Sequence, residues 1–221
     1  MSILRDAFER HPIARRLALR FDPDRLAADL DHVHESWWGR HQGPYHDGAW
    51  ESVSLWAPRG DLREQTSRGG AFAATPALKF CPYVTEVLDH FPAERNRVRL
   101  MRLRPGGHIL RHSDPLHTIA RGLVRLHVPM LTNPEVRFTV NDVRVPLQAG
   151  ETWHVDVRFP HEVANLGSTM RVHLVMDLVP TPALARLITE AEPLGMGRLT
   201  GYYARHALPV RLRRLMGISG N

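Results

Sequence analysis

The chain has 221 residues, one cysteine, a formal net charge of +6 and 43% hydrophobic residues. That length suits a single domain with a sizeable core, and the lone Cys81 excludes an internal disulfide framework. No apolar run reaches about 18 residues, the length a membrane-spanning helix needs. The opening MSILRDAFER lacks the apolar stretch of a secretory signal, so the expected location is the cytoplasm.

Lys79 is the sole lysine among 29 basic residues. Arginine presents a planar fork that matches carboxylates and phosphates. The arginines are scattered, with local density only at 10–20, 97–104 and 211–214. That scatter reads as solvated surface, and no nucleic-acid partner is expected.

In chain order, residues 1–23 read as irregular or weakly helical, punctuated by Pro12 and Pro23. Asp24 starts a helix to about Ser36, with Leu26, Leu30 and Val33 at helical spacing. Residues 37–49, rich in Trp, Gly, His and Pro, read as loop. Ser52–Trp56 alternates and predicts a strand. Residues 58–78 form a long loop of the kind that lids and binding sites use, and 82–90 is a short helix with an apolar stripe of Val84, Val87 and Leu88.

The period then changes to two. Strands are predicted at 97–104, 108–113, 122–129, 135–141, 143–148, 151–157, 161–166 and 169–178, separated by Gly, Pro, Asn and Asp turns. Eight short strands at this spacing predict a sandwich or barrel. After Pro180, helices are expected at 183–190 and 197–217, the second broken at Pro209. The expected organisation is one domain, 1–221. Residues 1–96 supply N-terminal helices, a strand and loops, 97–178 the barrel core, and 179–221 a C-terminal helical extension.

Alternate residues of a strand share a face. Arg125 and His127 therefore lie together, opposite Leu126 and Val128. Arg171, His173 and Asp177 lie together, opposite Val172, Leu174 and Met176. An ordinary solvated face carries mixed Ser, Thr, Lys and Glu. Here His, Arg and Asp occupy strand centres, which points to an interior functional face.

His112 and Asp114 flank one residue, and His161 is on a later strand. Two histidines and one carboxylate on one face suit a non-haem Fe(II) site with open positions. Zinc hydrolytic sites use the same residue types, so the triad alone leaves both open. A second pair, His154 and Asp156, sits mid-strand and reads as structural. The 112/114 pair follows a Pro-Gly-Gly turn and precedes a loop, which leaves a metal accessible. Arg171, ten residues after His161, places a forked cation suited to a carboxylate near that metal.

The ordered signatures are Leu103-x-Pro105-Gly106…His112-x-Asp114, Arg125-x-His127, Gly150-Glu151-x-Trp153, and His161-Glu162-Val163-x-Asn165…Arg171-x-His173-Leu174-x-x-Asp177. Through them the chain resembles the aspartyl/asparaginyl β-hydroxylase family of Fe(II)/2-oxoglutarate dioxygenases, in its bacterial form, which includes cis-proline hydroxylases. The resemblance implies a mostly β fold with flanking helices, built on a double-stranded β-helix: a jelly-roll, cupin-like barrel. It implies that His112, Asp114 and His161 bind Fe(II) and form the catalytic centre. Arg171 and His127 would bind the 2-oxoglutarate cosubstrate, which is consumed with O2. Arg125 would face the substrate, and Arg102 is a second substrate-binding candidate. Met101 stands where some members carry a cosubstrate-binding serine.

The implied reaction is hydroxylation of an unactivated carbon in a free amino acid or in an amino-acid residue of a small peptide. A non-oxygenase metal enzyme on a cupin-like barrel and a basic binding protein are the competing readings. A homodimer through the C-terminal helices is a further expectation.

Overall fold

The protein is described here from a computed structural model, which covers residues 8–66, 69–114 and 122–202. Its strands are β1 (Arg10–Arg20), β2 (Gly39–Arg40), β3 (Trp50–Pro58), β4 (Phe72–Ala74), β5 (Arg95–Leu103), β6 (His108–His112) and β7 (Val124–Leu131). They continue with β8 (Val136–Val140), β9 (Val143–Arg144), β10 (Glu151–Val155), β11 (His161–Asn165), β12 (Arg171–Leu178) and β13 (Glu192–Arg198). Among the described residues three α-helices flank them: α1 (Pro23–Asp31), α2 (Pro82–Asp89) and α3 (Pro182–Thr189).

The strands form two antiparallel sheets. The major sheet runs β13-β1-β10-β7-β12-β5-β3-β2, with β4 on β3, and the minor sheet runs β6-β11-β8-β9. This is the jelly-roll barrel with flanking helices. Period-two alternation divides the major sheet into two faces. On its outer face Val98, Leu100, Leu126, Val128, Leu174 and Met176 pack with residues of the three helices, such as Leu26, Val87 and Leu184. A second core joins the sheets through Ile109, Phe138, Val163 and Trp153. The inner face of β5, β7 and β12 carries Arg97, Arg99, Arg125, His127, Arg171, His173 and Asp177, the interior face that the strand phases predicted.

Helix starts follow from caps. The Asp22 carboxylate accepts from the N–H groups of Asp24 and Arg25 ahead of Pro23. The Thr181 hydroxyl accepts from Leu184 N–H ahead of Pro182. Helix α2 has no local cap. The buried carboxylate of Asp29 accepts from Val84 N–H at 2.7 Å, so α1 caps α2.

Several expectations are corrected. Residues 10–20 form strand β1, because β10 needs a partner and takes Ala14 opposite Val155 and Leu17 opposite Thr152; tertiary pairing overrides weak local preference. Asp22, not Asp24, caps the first helix, which ends at Asp31. The 143–148 strand is only Val143–Arg144. Residues 192–198 form a strand on β1, so the helix expected over 197–217 does not begin at 197. The barrel is therefore not confined to 97–178. The remainder of the expected C-terminal helix, 203–221, lies outside the described residues. Nothing among the described residues supports a homodimer through it.

One turn binds three elements. Gly150 has φ +78°, its N–H donates to Pro129 O, and its carbonyl accepts from Phe21 N–H. A Cβ there would lie 2.2 Å from Phe21 O. Gly150→Ala is expected to cost about 2–4 kcal/mol through steric clash and the left-handed backbone, measured as a lowered urea midpoint at unchanged slope.

Candidate metal centre and its two pockets

β6 pairs with β11 so that His112 lies opposite His161, with ring centroids 4.3 Å apart. Two residues on, Asp114 is held by its N–H donating to Val157 O at 2.8 Å. Nδ1 of His112 is 2.7 Å from Leu110 O, and Nδ1 of His161 is 3.0 Å from Phe159 O. A carbonyl only accepts, so each Nδ1 carries the proton and each Nε2 presents a lone pair. His112 Nε2 is 3.9 Å from Asp114 Oδ1. One ligand atom from each of the three residues falls within 4.8 Å of the others. Burial, reinforced by His112, brings the pKa of His161 down to about 4, so its imidazole is neutral and ready to ligate. This donor set fits a divalent cation. His154 and Asp156 do not join such a group: the Asp156 carboxylate accepts from Arg158 Nε and Nη2 at 2.8 and 2.7 Å.

Arg125 divides the work of Asp114. Its Nη1 donates to Asp114 Oδ2, and its Nε donates to Asp177 Oδ1 at 2.7 Å. Oδ1 of Asp114 is thereby left on the side of the histidines. Burial opposes the charge on Arg125, but Asp177 and Asp114 outweigh it and raise its pKa. Asp177, 0% exposed, also accepts from Arg97 Nη2 at 2.6 Å and from Arg99 Nη2 at 3.4 Å.

Behind the triad a narrow cavity runs past Met101, His127, Phe138 and Val163 to Arg171. Arg171 is buried, its Nη2 lies 2.8 Å from His173 Nδ1, and its Nε has no partner. Burial lowers its pKa to about 9, so it remains charged at neutral pH. Both ring nitrogens of His127 and Nε2 of His173 are also unpartnered. Burial, with Arg171 and neighbouring charges adding to it, pushes the pKa of both histidines well below the usual imidazole value. Unsatisfied buried groups are rare in folded proteins. A cation and neutral imidazoles gathered at a cavity's end fit an acidic ligand.

In front of the triad a cleft of about 280 Å³ is lined by His41, Tyr45, Trp50, Arg97, Arg99 and Arg125, together with His112 and Asp114. The Tyr45 ring stacks on His112 at 4.9 Å and 4°. Met101 lines both this cleft and the rear cavity.

Six of the seven predicted site residues thus converge: His112, Asp114, His161, Arg171, His127 and Arg125. Arg102 does not. It has the opposite phase on β5 to Arg99 and Met101, and it pairs with Glu51 and Glu35 beneath Trp38. Arg97, His41, Tyr45 and Trp50 were not singled out for the site; Arg99 was weighed only as compensation for Met101. The phase argument applied to β5 places both arginines on the inner face, whereas nothing in the sequence marks His41 and Tyr45.

These features define a jelly-roll protein with a candidate mononuclear metal centre, set between a narrow cationic pocket and a wider cleft. The chain belongs to the aspartyl/asparaginyl beta-hydroxylase family, whose sequence profile matches residues 22–180. It is similar to an L-proline cis-4-hydroxylase of Rhizobium meliloti, with 30% identity over 167 residues covering 74% of this chain and 59% of that protein. It is also similar to an L-proline cis-3-hydroxylase of Streptomyces, with 22% identity over 172 residues covering 72% and 58%. The chain thus spans about three-fifths of the length of these relatives. Among solved structures, a non-haem α-ketoglutarate-dependent carbocyclase from nogalamycin biosynthesis shares the fold. The TM-score is 0.50 at 11% identity, over 90% of this chain and 95% of that one.

Two outcomes are expected. Asp177→Asn leaves three arginines around a neutral amide and should destabilise the protein by about 3–5 kcal/mol, read from urea unfolding. Acid should also destabilise the metal-free protein. His127, His161 and His173 have folded pKa values below the unfolded value of about 6.5. Their contribution is complete above that value. Below it the unfolded chain takes protons first, and stability falls by up to about 1.4 kcal/mol per pH unit for each histidine. For His161 this loss ends near pH 4. A urea midpoint that stays level from pH 7 to 5 would contradict this.

Proposed function

We propose that this chain is an Fe(II)/2-oxoglutarate-dependent dioxygenase that hydroxylates an unactivated carbon of a free amino acid or of an amino-acid residue in a small peptide. The observation that carries the reading is Arg171, a buried cation with an unpartnered Nε in a cavity that begins at the His112–Asp114–His161 group. Similarity to two proline hydroxylases supports an amino-acid substrate. The reading includes one domain over 1–221 and a cytoplasmic location. Among the described residues, no helix is long and apolar enough to cross a membrane, and Cys81 is buried as a free thiol.

His112, Asp114 and His161 would hold Fe(II), which when bound supplies activation of O2 coupled to decarboxylation of the 2-oxo acid. The rest is done by this chain's own residues. Arg171 binds the distal carboxylate of 2-oxoglutarate through charge-assisted hydrogen bonds, and His173 holds its guanidinium in place. Neutral His127 offers a ring N–H to the same cosubstrate. Arg125 keeps Asp114 oriented and lines the cleft that takes the substrate. Met101, Phe138 and Val163 keep the rear cavity apolar and exclude water from the bound 2-oxo acid.

The test is anaerobic titration with Fe(II) and 2-oxoglutarate, followed by visible absorbance, alongside a search for succinate formation with a panel of amino acids. A weak charge-transfer band is expected in the native protein. Arg171→Ala should require at least about tenfold more 2-oxoglutarate, a loss of about 1.4 kcal/mol or more. His112→Ala should abolish the band. Bound iron with no band would return the site to the zinc-type or isomerase readings.

A further inference from the structure

A further pocket, of about 230 Å³, lies where β7 ends, between the loop that follows it and residues 144–148. It is at the opposite end of β7 from Arg125. The exposed Arg144 and Gln148 stand at its mouth, and the buried Phe138, Val145 and Leu147 form its walls. His173, 1% exposed, lines it as well. Phe138 also lines the rear cavity that ends at Arg171. The two spaces therefore lie back to back, parted by Phe138 and the Arg171–His173 pair.

That pair fixes the chemistry of the partition. Arg171 Nη2 is 2.8 Å from His173 Nδ1. A guanidinium only donates, so Nδ1 accepts and the neutral ring carries its proton on Nε2. Among the described residues this Nε2–H has no partner. A buried donor left unmet is destabilising, which calls for an acceptor in the pocket that His173 lines. None of the described lining residues is acidic. Arg144 donates from Nη2 to the carbonyls of Pro134 and Val136, at 2.9 and 3.1 Å, and its charge meets no carboxylate in the pocket. A cation at the mouth, apolar walls, an unmet donor at the floor and a second cation behind it suit an acid group on a small apolar body.

We propose that this pocket is a separate binding site for a small apolar carboxylate, whose acid group accepts from His173 Nε2–H. Its occupancy is coupled to the rear cavity, a part of the inference that rests on the proposed function, which puts 2-oxoglutarate there. The two carboxylates face one buried cation from opposite sides. An acceptor on Nε2–H makes Nδ1 a better acceptor and steadies Arg171, but this strengthening of one hydrogen bond is small beside the repulsion of two anions in a low-dielectric interior. The coupling is therefore negative. Each ligand weakens the other by the same factor, about threefold to tenfold. A small acid in the pocket thus restrains cosubstrate binding without entering the cosubstrate's cavity.

The probe is benzoate, added to the full-length metal-free protein labelled with ¹⁵N-histidine. The His173 Nε2–H resonance is assigned by its absence from His173→Phe, whose other histidine signals report its folding. Benzoate should move that resonance to a saturating limit. Benzamide should need at least about threefold more, and chloride at equal ionic strength should have no effect. No movement with benzoate overturns the proposal, and so does an equal response to benzamide or chloride. Arg144→Glu, at an exposed position outside the triad and the rear cavity, should weaken benzoate at least about threefold; unchanged affinity places the probe elsewhere and overturns the site. In the anaerobic Fe(II) protein, benzoate should raise the 2-oxoglutarate needed for half of the visible band to a plateau about threefold to tenfold higher. A rise without limit means that benzoate competes for Arg171, and no rise means that the pockets are independent; either overturns the coupling. The two readings fail separately. A His173 response without the Fe(II)–2-oxoglutarate band leaves the acid site standing and removes the oxygenase. The band with a silent His173 does the reverse.

Discussion

Asp177 is a carboxylate with no exposed surface, and the arrangement of the interior follows from what it holds. It lies on β12, between β5 and β7, directly opposite Arg97 on one side and Arg125 on the other. Cross-strand neighbours are close enough to pair side chains, so the sheet register itself creates the ion cluster. Arg99, two residues along β5, reaches the same carboxylate only at 3.4 Å. Buried ion pairs contribute little net stability, because desolvation offsets their attraction. Here the cluster positions groups: Arg125, fixed by Asp177, extends its other arm to Asp114 at the end of the minor sheet's β6.

The two sheets contribute different chemistry. The minor sheet and the segment after it bring the neutral nitrogens and the carboxylate that suit a cation. The inner face of the major sheet brings arginines and low-pKa histidines that suit anions. Between them lies the triad, with a narrow pocket behind and a wider cleft in front. The apolar outer face of the major sheet packs against the helices. The inner face is therefore free to carry charge without costing the fold its main core. Backbone carbonyls of Leu110 and Phe159 complete the design by fixing the tautomers of His112 and His161.

Family membership and the geometry support each other from different directions. The profile spans 22–180, which takes in α1, all of β2 to β12 and every converging site residue. It leaves β1 and β13 outside, the two strands that extend the major sheet by pairing with each other. Met101 sits at the junction of the two pockets and places an apolar side chain there.

Much was legible in the chain alone, and the reason is local. Period-two alternation is written residue by residue, so β5 to β8 and β10 to β12 could be placed, and Arg125 grouped with His127 or Arg171 with Asp177. The short spacing of His112 and Asp114 marked a candidate ligand pair before any pairing of strands was known. What folding decided involves partners far apart in sequence. Arg97 and Asp177 are 80 residues apart, and only the β5–β12 register brings them together. Alternation along β5 turns Arg99 inward and Arg102 outward, and folding then supplies Glu35 and Glu51 as the partners of Arg102. Residues 10–20 and 192–198 become strands because an open sheet edge offers hydrogen bonds that their own sequences do not demand. The cleft loops reach the metal site for the same reason: Tyr45 O accepts from Leu110 N–H, and the Tyr45 ring then stacks on His112.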